Sequence, residues 1–369
     1  MKKPTLERVR FAAKGDNSFH EAVLRNVKEY FDSKKMSPFA NSEMWIKTAS
    51  MLMMYFVPYA LIVSGLASVS IWLFLGCWLI MALGMSGIGT SVMHDANHGT
   101  YSANPKINNT ISRILDMIGG YRVTWRIQHN LLHHTYTNVA GLDEDIGSTK
   151  LLRLSPQLPV AWFHRYQYLY AWLLYGMMTL FWMTVKDYKA VFRYNQHQLL
   201  SNQKVTLMQA LRRVTFYKLF YYAYILVLPL LFSGMPWWLV LIGFFSMHIV
   251  SGLILSSIFQ PAHVMENSGY AAPVMKAGMP HMENSWAIHE VVNTTNFAPK
   301  NAILTWFAGG LNFQIEHHLF TNVCHVHYRK LAPIVKATCL AYHIPYHSQP
   351  TFRNALWEHT RMLRKLGTA

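Results

Sequence analysis

The chain has 369 residues, 52% of them hydrophobic and only 14% charged, with a net charge of +16. An ordinary soluble domain carries about 25% charged residues, so this composition argues against a soluble protein and for one with membrane-embedded stretches. Three cysteines, Cys77, Cys324 and Cys339, occur in no metal-binding spacing and speak against a disulfide scaffold; no basic face on a soluble module points to nucleic acid.

In chain order, residues 1–48 read as a polar, partly helical cytoplasmic segment with no apolar core of a cleavable signal peptide. From Ala49 to Met93 there is no Lys, Arg, Asp or Glu, a stretch well beyond the roughly 20 residues that cross a bilayer. It divides near Ser64–Ser70, predicting spans over 49–67 and 70–93. Residues 162–185 are apolar but contain His164, Arg165 and many Tyr and Trp, the pattern of a helix lying in the interface or re-entering. A second uncharged block, Leu219–Met265, is punctuated at Ser233-Gly234-Met235-Pro236, predicting spans over 217–233 and 236–260. Lys2, Lys3, Arg8, Lys34 and Lys35 precede the first block, and Arg212, Arg213 and Lys218 the second. Positive residues cluster on the cytoplasmic side, so both blocks are expected to be hairpins that return to that side. The predicted fold is an all-α integral membrane protein with four transmembrane helices in two hairpins, a cytoplasmic helical cap and both termini cytoplasmic. Its domains are a segment 1–48 and a membrane domain 49–369.

Nineteen histidines occur, and three groups of them fall near predicted membrane boundaries. His94 and His98 are four apart, a spacing that puts both imidazoles on one helical face. His129 and His133 repeat that spacing with His134 beside them, and His317 and His318 close a Gln314-Ile315-Glu316-His317-His318 run. His263 follows the last span and His289 precedes the third group. His20, His164, His197, His281, His343, His347 and His359 read as surface or hydrogen-bonding residues. Neutral imidazole suits Zn, Cu, Fe and Ni. Seven to nine histidines exceed the four ligands of a structural zinc site, so two ions sharing the set fit better. Iron is favoured because a pair of irons can reduce dioxygen and remove hydrogen from an unactivated C–H bond. The Glu and Glu-x-x-His pattern of soluble di-iron bundles is absent. Asp95, Asp143, Asp145 and Glu316 are placed to accept the second ring N–H of a ligand imidazole, although the two loop aspartates fit solvated charges equally well. A metal transporter is the rival from another class; it needs polar groups near the bilayer midplane, where the spans carry almost none beyond His248.

In order and spacing these groups resemble the membrane fatty acid desaturase family, from about residue 50 to the C-terminus. Neighbouring Thr135-Tyr136-Thr137-Asn138 and Leu311-Asn312-Phe313-Gln314-Ile315-Glu316-His317-His318-Leu319-Phe320 carry the resemblance too. It implies two Fe ions at the cytoplasmic face, dioxygen as co-substrate, and His94, His98, His129, His133, His134, His263, His317 and His318 as ligands, with His289 a further candidate. Gln314, where the commoner pattern has histidine, is similar to the front-end branch and to sphingolipid desaturases; its amide can hold a metal-bound water or orient a neighbour. The resemblance therefore implies a front-end desaturase placing a cis double bond in an acyl-CoA or acyl-lipid substrate. A sphingolipid desaturase or lipid hydroxylase on the same scaffold is the alternative. The sequence holds no H-P-G-G haem-binding motif, so electrons are expected from a separate ferredoxin or b-type cytochrome, and the lipid bilayer is the remaining partner.

Overall fold

A computed structural model of the protein describes residues 9–12, 18–147, 150–276 and 278–368; Lys2, Lys3 and Arg8 lie outside them. The chain is mostly helical and divides into two compact units. The principal helices are α1 (Ser18–Lys34), α2 (Ser42–Val63), α3 (Ile71–His98), α4 (Trp162–Gly176), α5 (Met178–Gln196), α6 (Leu207–Phe232), α7 (Trp237–His263), α8 (Trp286–Val292), α9 (Gln314–Leu319), α10 (Tyr328–Ala341) and α11 (Phe352–Thr368).

The first unit comprises residues 42–127 and 172–257. Here α2, α3, α6 and α7 are each long and apolar enough to cross a membrane. The turns fall where Ser, Gly and Pro predicted them: α2 ends at Val63 before a left-handed Gly65, and α6 ends at Phe232 before a left-handed Gly234. The helices overrun the predicted spans. The second runs from Ile71 through His98, and the last runs through His263, so the first histidine group and His263 are the ends of these helices. Buried residues make up 56% of the most apolar window of α3 and of α7, against 33% for α2 and 28% for α6. Thus α3 and α7 supply the core, while α2 and α6 leave most of their apolar surface outward, as lipid contact requires. Small residues set the helix approaches, the usual device of packing in membranes. A Cβ on Gly84 would stand 2.7 Å from the Tyr55 amide nitrogen, and one on Gly252 would run into the Tyr175 and Gly176 carbonyls.

Residues 162–196 form one bent helix pair, α4 and α5, turned by 58° between them. The predicted 162–185 helix is thus broken at Met177 and extends farther, through a polar continuation ending at Gln196.

Lys218 departs from its expected place as a flanking charge. It lies inside α6, buried, with Nζ donating to Asp187 Oδ2 at 2.9 Å, the Trp182 carbonyl at 2.8 Å and the Gly119 carbonyl at 3.1 Å. Asp187 Oδ1 also accepts from the Thr124 hydroxyl at 2.7 Å. An apolar run cannot reveal that its first charge is internally paired. His248, in the middle of α7, is likewise satisfied: Nε2 meets the Tyr221 hydroxyl at 2.9 Å and Nδ1 the Thr179 hydroxyl at 3.1 Å.

The second unit comprises residues 6–41, 128–171 and 258–369. Helix α1 repeats an apolar residue every four positions, and this stripe of Phe19, Val23, Val27 and Phe31 packs into one core with Val291 of α8, Ile315 of α9 and Leu331 and Val335 of α10. Two short pairings add the only strands among the described residues: Val274–Lys276 antiparallel to Met279–His281, and Asn296–Phe297 parallel to Ser348–Gln349. Arg153 and Gln167 tie the 150s loop to α11 through the Leu366 and Leu363 carbonyls. His164 and His359 are buried hydrogen-bonding residues that touch the Lys150 and Val264 carbonyls.

Removing one partner of a buried ion pair costs about 3–5 kcal/mol. Lys218→Met is therefore expected to lower the unfolding midpoint of the detergent-purified protein strongly. Adding Asp187→Leu should recover only part of the loss, because the Gly119 and Trp182 carbonyls stay without their donor.

Candidate metal centre

The first histidine group belongs to the first unit. Helix α3 passes through a π-helical turn at Ile88–Val92 and returns to α-helix at Met93–His98. Such turns insert an extra residue into an α-helix and recur at functional sites. After it, the His94 and His98 rings lie 4.6 Å apart, and the edge of Trp125 packs 5.7 Å from each. Asp95 Oδ1 lies 3.3 Å from His94 Nδ1. Arg126 holds the helix end through Asn97 at 2.8 Å, and Gly99, with φ of 82°, stops the helix and sends its N–H back to Ala96.

In the second unit six imidazoles gather: His129 and His133 from a π-helix over Arg126–His133, His134 from the turn directly after it, His263 from the end of α7, and His317 and His318 from α9. The π geometry changes the expected pairing. It bonds the His134 amide to the His129 carbonyl at 3.1 Å, bringing residues five apart into line as well as those four apart. The Nε2 atoms of His129 and His134 consequently stand 3.2 Å from each other. Two overlapping triads result. His133, His263 and His318 form one, and His134, His317 and His318 the other; within each, the candidate donor atoms all lie within 4.8 Å of one another. Imidazole nitrogens sit about 2.0–2.1 Å from a bound transition-metal ion, so donors on one ion are separated by at most about 4 Å. The spacing and the all-imidazole chemistry fit metal binding, and iron fits this donor set.

Carboxylates orient two of these rings. His133 Nδ1 donates to Asp143 Oδ2 at 3.0 Å, with Asp145 at 3.4 Å. Asp143 is itself fixed by the amides of Asn138 and Asp145, both at 2.9 Å. Burial opposes a charge on His133, but Asp143 and Asp145 outweigh it and push its pKa up to about 9. The same attraction favours a cation on the ring's far nitrogen. His318 Nδ1 donates to Glu290 Oε2 at 2.7 Å, and the Thr137 hydroxyl donates to the same oxygen at 2.7 Å. Burial holds the Glu290 carboxyl well above the usual range, partly offset by Thr137 and by His133.

Two expectations change. Glu316 does not face an imidazole; it accepts from Asn296 at 2.7 Å and from Tyr346 at 2.8 Å. One residue before His317 on a helix, its side chain points about 100° away, toward the 296 and 346 loops. Burial raises its pKa to about 7. His289 spends both nitrogens elsewhere: Nε2 donates to the Thr137 carbonyl at 2.8 Å and Nδ1 accepts from Asn293 at 3.0 Å. No lone pair remains for a metal. Gln314 donates to the Leu311 carbonyl at 2.8 Å. Sequence reasoning missed Glu290, beside the discounted His289, and Asn138, which takes a left-handed φ of 60° and donates to the His263 and Gly269 carbonyls. Only the quoted Thr137-Asn138 run hinted at either.

A family model described as fatty acid desaturase matches residues 69–350. The chain belongs to the fatty acid desaturase family. It is 33% identical over 351 residues to the sn-1 linoleoyl-lipid 6-desaturase of Arthrospira platensis, covering 94% of this chain and 92% of that one. It is 33% identical to the protein of the same name from Synechocystis sp., covering 99% of both. Against the acyl-lipid (8-3)-desaturase of Physcomitrium patens it is 34% identical, covering 99% of this chain and 74% of that one. This desaturase is thus an oxidoreductase of lipid metabolism with membrane helices, and its relatives are of the front-end kind.

Glu316 braces loops rather than the cage, and a hydrogen bond to a charged group contributes about 1.5–3 kcal/mol. Tyr346→Phe should therefore lower the unfolding midpoint while leaving the transition-metal content of the purified desaturase unchanged, measured by elemental analysis per polypeptide.

Proposed function

We propose that this desaturase holds two irons with His94, His98, His129, His133, His134, His263, His317 and His318, and places a front-end cis double bond in an acyl chain carried on a membrane lipid. The observation that carries the reading is the pair of overlapping imidazole triads with Asp143 and Glu290 behind two of the rings. The lipid-linked form of the substrate rests on the names of the three relatives, two of them linoleoyl-lipid 6-desaturases.

Bound iron would supply dioxygen activation and hydrogen removal from two adjacent methylenes, with electrons from a separate ferredoxin or b-type cytochrome. The protein's own contribution is orientation and exclusion of water. Asp143 and Glu290 hold Nδ1–H of His133 and His318, leaving Nε2 of each as the donor. His94, His317 and His318 are at most 1% exposed, so the ligands are shielded from competing water. The aromatic and aliphatic spans offer the acyl chain an apolar approach from the bilayer, which keeps the reacting methylenes at a fixed depth. We assign the histidine cage and both termini to the cytoplasmic side, with the four spans arranged as two hairpins. The supports are the short uncharged turns at Ser64–Ser70 and Ser233–Pro236 and the basic residues Lys34, Lys35, Arg212 and Arg213 at the opposite helix ends.

Expression in a host lacking front-end products, supplied with linoleate, should yield a new unsaturated acid that disappears with His317→Ala or after iron depletion. Separation of lipid classes after a short pulse of labelled linoleate should find the new bond first in glycerolipids. First appearance in the acyl-CoA pool would overturn the lipid-linked substrate, and an unchanged profile with the native chain would overturn the activity.

A further inference from the structure

His318 is the ring shared by both triads of the second unit, so whatever fixes its orientation acts on both. Three contacts converge on its Nδ1 side. Glu290 Oε2 accepts from Nδ1 at 2.7 Å, Thr137 Oγ1 lies 3.2 Å from the same nitrogen, and Thr137 Oγ1 stands 2.7 Å from Glu290 Oε2. Thr137 also approaches the His133 carbonyl at 2.7 Å, one turn back in the chain. Glu290 is fully buried, and its Oε1 has no hydrogen-bond partner among the described residues. An acidic side chain in so dry a place is costly unless a cation is near. Its hydrogen-bond partners among the described residues are a threonine and a histidine rather than a Lys or Arg. Helix α8, which carries Glu290, also reaches the cage through Trp286, whose Nε1 donates to the His134 carbonyl at 3.0 Å, while its His289 is turned to the Thr137 carbonyl and Asn293.

We infer that Glu290 is a positioning residue of the iron centre: it fixes His318 as the Nδ1–H tautomer with Nε2 toward the metal, and through Thr137 it ties the third histidine group to the second. The inference rests on the proposed reading in one respect, that His318 is a metal ligand. Glu290 itself touches neither metal nor substrate; it acts through the ring. A carboxylate behind a ligand imidazole raises its donor strength, and loss of such a partner lowers metal affinity by about 10–100-fold. Glu290→Gln retains the size and one acceptor but removes the charge. Glu290→Ala removes both. Thr137→Val removes the hydroxyl that couples the two groups.

The test is an anaerobic titration of the detergent-purified full chain, stripped of metal, with Fe(II) against a chromogenic ferrous chelator. Mössbauer spectra of the iron-loaded protein are recorded alongside. Glu290→Gln is expected to weaken Fe(II) binding about tenfold, Glu290→Ala by more, and Thr137→Val by less than either. The Mössbauer quadrupole splitting should move in both Glu290 variants, a change that general destabilisation away from the metal would not produce. Native affinity and splitting in Glu290→Gln overturns the inference, and this nearly isosteric variant decides the matter if Glu290→Ala does not fold. His318→Ala separates the two levels. If it binds Fe(II) as the native chain does, the ligand assignment itself falls; if it loses iron while both Glu290 variants keep it, only the role of Glu290 falls.

Discussion

A cluster of neutral imidazoles has no attraction of its own to hold it together; each ring must be turned by something behind it. In this desaturase that role falls to buried carboxylates on the Nδ1 side. Asp143 sets His133 and is itself fixed by two backbone amides, while Glu290 sets His318. Both acids are taken out of water, so their charge is expensive unless cations stand nearby. The arrangement therefore favours a metal electrostatically as well as geometrically. Much of the second unit serves to hold these acids in place. Asn138 anchors the loop bearing Asp143 to the end of α7, and the α1 stripe packs on α8, the helix that carries Glu290.

The spans solve a different problem. In hydrocarbon the hydrophobic effect does not bring helices together, so close approach must come from shape and from internal polar contacts. Gly84 and Gly252 give the shape, with backbone so near that a methyl group would collide. Lys218, Asp187 and Thr124 give the polar contact and fasten the short helix Arg122–Trp125. That helix carries Trp125, which lies against both rings of the first histidine group.

Much of this was legible in the sequence, and the exceptions have physical causes. Uncharged length alone located the four spans, because few other structures need so long an apolar run. The three histidine groups were legible because spacing of imidazoles is a local property. Glu316 and Glu290 were not: which of two acids near a ligand faces it depends on the helix phase and on a neighbouring helix packed by tertiary contacts. His289 reads from sequence like a ligand and is instead a strut between two backbone segments. Lys218 looked like a membrane-edge charge because sequence shows where an apolar stretch begins and says nothing about a carboxylate arriving from residue 187. The beginning of α2 at Ser42 and of α6 at Leu207 were missed for a related reason: their first turns are polar and amphipathic, and become helix only in continuation of the span.

The π-helical turns at Ile88–Val92 and Arg126–His133 make the reading frame of each helix part of the chemistry. Every residue of an α-helix advances the azimuth by about 100°. Relaxation of Ile88–Val92 to ordinary α-helix with every residue kept would leave the extra residue to be absorbed as rotation, and would swing His94 and His98 round the axis together by about 100°, with no histidine altered. The aim of these two imidazoles thus depends on residues of the π-helical turn that are themselves neither histidine nor acid.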